Sequence, residues 1–183
     1  MRVIEINPPL QRSADPPELP FQIVGTVELT ATERLKLELF FDEVLDEYRS
    51  LQTKSVDQYH IYPHFVDLAP PGTGAAEAAR KFSCVGLVVE AYRVTGLYLV
   101  DTERLPPIGL DLLCDAYPGA STALRRDAFR AMFGLVGDGP WPVLMPGYVF
   151  HSMNRHPDDF RRTPYITSEG DEYFPASITI QPN

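Results

Sequence analysis

Residues 81–96 read KFSCVGLVVEAYRVTG, and the placement of Cys84 within them governs how the rest of the chain is understood. Ser83 has the side chain of a helix N-cap, Leu87, Val88, Ala91, Tyr92 and Val94 supply a helical apolar face, and Gly96 suits a helix end. Cys84 then falls in the first turn. There the unpaired backbone N–H groups and the positive end of the helix dipole favour thiolate over thiol. A thiolate in that position suits covalent acyl transfer, with the same N–H groups available to a developing oxyanion. The competing reading is a small buried filler, because free cysteine is among the most buried residue types.

Around this segment the chain is punctuated by proline. It has 183 residues, 44% hydrophobic and 22% charged, within the range of a globular domain with a sizeable core. Its 18 prolines are about twice the usual share of roughly 5%. Residues 1–20 contain a strand-like VIEI followed by NPPLQRSADPPELP, which reads as an extended proline-rich arm; residues 21–183 read as a single domain. FQIVGTVELT (21–30) is a strand candidate. Thr30 and Glu33 have capping-box spacing, and Leu37, Phe40, Phe41, Val44, Leu45, Tyr48 and Leu51 continue an amphipathic helix of about five turns. YHIYPHFVDL (59–68) reads as extended, followed by a PPGTG loop. Further on come a strand-like LYLV (97–100), a short helix in IGLDLLCDAY (108–117), and a helix capped by Ser121 or Thr122 that runs to Met132 before Gly134. VLMPGYVFHSM, TPYITS and EYFPASITI read as short strands. Without βαβ alternation, the expected class is α+β.

The formal net charge of −9 and pI of about 4.8 argue against a nucleic-acid partner. No window approaches the roughly 20 apolar residues of a membrane span, and no basic end precedes an apolar run, so a cytoplasmic chain, or one exported by another route, is expected. Cys84 and Cys114 lack the spacing of a cysteine zinc site, and Cys114, in step with Leu110 and Leu113, reads as core. The pairs His60/His64 and His151/His156 are weak metal candidates because Pro63 interrupts one and Pro157 follows the other. Neither a metal nor another cofactor is expected.

Residues 82–96 resemble the nucleophile helix of the NlpC-type cell-wall peptidases, a branch of the papain-like cysteine peptidases. The family pattern places an aromatic residue before Asp-Cys-Ser-Gly and an apolar pair after it. Phe82, Cys84, Gly86, Leu87, Val88, Tyr92 and Gly96 fall in step. The preceding helix, Tyr62 and PPGTG, and the following Leu105-Pro106-Pro107 and Met145 to Phe150, agree with the family in order. Ser83, Val85 and Tyr148 replace its Asp, Ser and Asp, and TPYITS has no histidine where the family carries its base.

The resemblance implies a papain-like α+β fold with the nucleophile helix packed on a small antiparallel sheet. It also implies thiol hydrolysis of an amide, of the kind that cell-wall endopeptidases perform on peptidoglycan stem peptides. Cys84 would attack the carbonyl of a peptide or small amide. His151, just after the Val149-Phe150 pair, is the first candidate base, followed by His64, His60 and His156. Asn154, Asp158, Glu169 and Asp171 are all available to orient it, and the sequence does not choose among them. The alternative is an inactive relative that binds a protein or ligand.

Overall fold

The computed structural model describes residues 3–6, 10–13, 27–51, 59–67 and 80–173. The first strands, β1 (Val3–Ile6) and β2 (Leu10–Ser13), pair antiparallel in a hairpin, with Val3 opposite Ser13. VIEI is therefore a strand, but part of the expected arm folds back on it as β2. Helix α1 (Ala31–Leu51) begins where the capping box placed it. The Thr30 N–H donates to Glu33 Oε2 at 2.7 Å, and the Glu33 N–H donates to Thr30 Oγ1 at 3.2 Å. Val27 to Thr30, the end of the strand expected over residues 21–30, is irregular, and residues 21–26 lie outside the described residues.

Strands β3 (Phe65–Val66) and β4 (Lys81–Phe82) form a second two-stranded antiparallel sheet. Helix α2 (Cys84–Arg93) leaves β4 directly and packs beside this small sheet. It separates two apolar clusters. Phe40, Val44, Leu45 and Tyr48 of α1 meet Phe82, Leu87 and Ala91 on one side. Val85 and Val89 face the larger cluster of Leu97, Leu99, Leu113, Trp141, Val143, Leu144, Tyr148 and Phe160 on the other. The face expected for α2 is thus corrected: Val88 and Val94 are 40% and 36% exposed, while Val85 and Val89 are buried. Two cores, rather than one, ask for two buried stripes.

Helix α3 (Leu110–Ala116) follows the expected pattern and buries Cys114. The helix expected through Met132 is broken into α4 (Ser121–Leu124) and α5 (Asp127–Met132), because Arg126 is extended. The break releases the Leu124 carbonyl, and buried Arg130 of α5 donates to it from Nη1 at 3.0 Å. Gly134, at φ +80°, follows α5 as expected.

The C-terminal third departs most from its sequence reading. PGYVFHS is helix α6 (Pro146–Ser152), not strand. Pro146 occupies its first turn, where a fixed φ and a missing N–H cost nothing. Gly147, Tyr148 and Ser152 are its buried residues, and the Ser152 hydroxyl donates to the Leu99 carbonyl at 2.6 Å. LYLV and TPYITS contribute only an isolated bridge between Val100 and Tyr165. EYFPASITI is described only at Glu172 and Tyr173. Arg155 ties these segments together instead, donating to the carbonyls of Tyr98 at 2.7 Å and Thr163 at 2.6 Å. The class is α+β, with helices joined by irregular segments and two small antiparallel sheets. Among the described residues, no helix is long and apolar enough to cross a membrane.

Candidate functional site

Cys84 is the first residue of α2 and is half-buried. Ser83, wholly buried and extended, accepts from the Gly86 N–H at 2.9 Å through its hydroxyl. Its own N–H donates to the His64 carbonyl at 2.9 Å, which stitches the start of α2 to the chain entering β3. That approach needs glycine at 86, where an added Cβ would lie 2.1 Å from the same carbonyl oxygen.

At about 100° per residue, Cys84 and Val88 share one stripe of α2, and Gly86 and Glu90 share another on nearly the opposite side. The exposure of Val88 explains why Cys84 keeps an accessible edge. The Tyr59 hydroxyl donates to Cys84 Sγ at 3.8 Å. Tyr117 completes the group, its buried hydroxyl lacking a hydrogen-bond partner. Burial, reinforced by Tyr117 and Cys84, holds the Tyr59 phenol far above its ordinary range. Burial, then the neighbouring Cys84, pushes Tyr117 up to about 12. Both phenols therefore keep their protons at neutral pH, so neither is a base.

The histidines are engaged elsewhere. His60 and His64 do not share an extended face, because the chain bends between them and His60 Nδ1 lies 3.0 Å from the Pro63 carbonyl. His64 turns to the Gly86/Glu90 stripe, with Nε2 3.4 Å from Glu90 Oε1. Six residues separate Cys84 from Glu90, about 9 Å along the helix. Glu90 is buried and also meets Arg93 Nε at 2.6 Å. Burial alone would raise the Glu90 carboxyl, but His64 and Arg93 outweigh it and hold it below its ordinary value.

His151, on α6, has Nε2 3.2 Å from the Tyr173 carbonyl and Nδ1 3.9 Å from Asp171 Oδ1. Of the four groups considered as its orienting partner, Asp171 is the one beside it, fixed in turn by the Tyr165 hydroxyl at 2.7 Å and the Ser168 N–H at 2.7 Å. His156 caps a 3-10 turn at 157–161, accepting from the Asp158 N–H. No imidazole hydrogen-bonds to Cys84 Sγ among the described residues.

Three separate groups thus stand where one dyad was expected: Cys84 with Tyr59 and Tyr117, His64 with Glu90 and Arg93, and His151 with Asp171. Sequence reasoning missed Tyr59, Tyr117 and Glu90. Glu90 carries a legible signal, a lone carboxylate inside LVVEAY four residues after a glycine. The two tyrosines carry none, since their meeting depends on tertiary packing. Cys84 and Cys114 are both free thiols. Among the described residues, no three His, Cys, Asp or Glu side chains gather in a way that would hold a metal ion. Comparisons of the chain with protein-family models, curated proteins and solved structures found no match.

Proposed function

We propose that the domain is a protein- or ligand-binding module rather than a hydrolase. The observation that carries this reading is the company of the Cys84 sulfur, whose hydrogen-bond partner is the Tyr59 hydroxyl and not an imidazole. A thiol hydrolase needs a group that takes the thiol proton and returns it to the leaving amine. The two protonated phenols cannot take it, and His64 Nε2 lies beside Glu90 on another face of α2, 3.4 Å from its carboxylate.

A second reading is favoured by one observation: Cys84 heads a helix capped by Ser83 and retains an accessible edge. On that reading the domain hydrolyses the amide of a peptidoglycan stem peptide or a similar small substrate. Cys84 is then the nucleophile, and His151 the base after a rearrangement of its ties to Asp171 and Tyr173. Incubation with stem peptides and a panel of small amides, with the released amine followed by mass spectrometry, separates the two. The binding reading expects the wild type to release no more amine than Cys84→Ala. Release that is abolished in a Cys84→Ala protein with unchanged melting temperature establishes the hydrolase instead.

A further inference from the structure

An open cavity of about 380 Å³ lies between α3, the start of α6 and the segment ending at Tyr173. Its size falls in the range of small-ligand sites, roughly 300–1,000 Å³. Leu112, Ala116, Met145 and Pro146 form apolar walls, and Asp115 and Glu172 are the charged residues of its lining. No basic side chain lines it, and neither carboxylate forms an ion pair among the described residues. This sets them apart from Glu33, Glu47, Glu90, Asp111 and Asp127, each of which meets an arginine.

Behind Glu172 stands Tyr148, wholly buried with its hydroxyl unpartnered. Burial raises its phenol above the ordinary range, and the charges of Glu172 and Asp171 raise it further. The wall itself is firmly placed. Gly147 lets residues 171 and 172 approach so closely that a Cβ there would lie 2.3 Å from the Asp171 carbonyl oxygen. His151 holds the same segment at Tyr173.

We propose that this cavity binds an aliphatic stem ending in a cation, either a free alkylamine or the lysine side chain of a peptide. The stem covers Leu112, Ala116, Met145 and Pro146, and the ammonium group sits between Asp115 and Glu172. A chain of net charge −9 also draws cations toward its surface. The inference rests on the binding reading above and names its ligand.

The test is NMR titration of the intact protein with n-pentylamine, pentanoate and an acetylated, amidated Gly-Lys-Gly peptide, following the methyl signals of Leu112, Ala116 and Met145. The expected result is saturable shifts with n-pentylamine or the peptide, a dissociation constant from about 0.1 to several mM, and no saturation with pentanoate. A tighter fit for the peptide assigns the site to a protein partner, and a tighter fit for the amine to a free metabolite. The Asp115→Asn/Glu172→Gln double variant should weaken binding at least tenfold at an unchanged melting temperature. Asp115 is exposed, and the glutamine keeps an acceptor for the Gly170 N–H that Glu172 now binds at 2.9 Å. Absence of shifts, equal binding of pentanoate, or undiminished binding by the double variant overturns the proposal. None of these results bears on amide turnover, which alone decides against the binding reading.

Discussion

Replacing Gly86 with alanine is expected to destabilise the protein even though alanine is the better helix former. The substitution gains about 1 kcal/mol of intrinsic helix propensity. Against that, the new Cβ would lie 2.1 Å from the His64 carbonyl oxygen, 3.0 Å from the His64 carbonyl carbon and 2.9 Å from Ser83 Oγ. Two of these neighbours are backbone, so relief requires α2 and the chain at His64 to separate by about 1 Å or more, with an overpacking cost of about 1–3 kcal/mol. The same separation weakens the hydrogen bond from the Ser83 N–H to the His64 carbonyl, worth about 0.5–1.5 kcal/mol. The net expectation is a loss of about 2 kcal/mol, or a fall in melting temperature of about 4–8 °C for a chain of this length. Thermal denaturation followed by far-ultraviolet circular dichroism reads it, with Gly119→Ala, which has open space around the new Cβ, as the control. A Gly86→Ala protein as stable as the wild type, or more stable, would refute the close approach on which the site's geometry depends.

Glu33 is held down to about 2 by Arg161 and the Thr30 N–H. A depressed carboxyl stabilises the fold above its unfolded value, near 4.5, and loses that contribution as pH falls toward 2, so wild-type stability should fall more steeply over that window than that of Glu33→Gln in acid titrations of the melting temperature. Arg130→Ala should cost about 3 kcal/mol in urea denaturation, because it strips the Leu124 carbonyl of its donor, unpairs Asp127 and removes the guanidinium from the face of Trp141; a loss below about 1 kcal/mol argues against its role at the α4–α5 break.

The parts of the fold legible in the sequence are those fixed by neighbours within one helical turn. Thr30 and Glu33 marked the start of α1 because both halves of the capping box are local. Ser83 and Gly96 bracketed α2, and Leu110, Leu113 and Cys114 identified α3, for the same reason. The α6 segment reads as strand in the sequence because Tyr148 and Val149-Phe150 are β-prone, whereas Pro146 suits a first helical turn. The division at Arg125-Arg126 was hidden because Arg130, six residues beyond Leu124, stabilises it through tertiary geometry. At the site, the position of Cys84 in a first turn was legible from Ser83. Its neighbours were not: Tyr59 and Tyr117 are 58 residues apart, and no local period brings them together.

Trp141, the only tryptophan of the chain, is buried with its indole N–H donating to the Val136 carbonyl at 2.8 Å. It belongs to the larger apolar cluster and not to the one built on α1. Its fluorescence is therefore a regional probe of the larger cluster, whereas the circular dichroism signal is weighted toward α1, at 21 residues the longest helix among the described residues. Both clusters draw side chains from α2, through Val85 and Val89 on one side and Leu87 and Ala91 on the other. Neither cluster can melt without stripping cover from the helix that supports the other, so the two optical signals should trace a single transition.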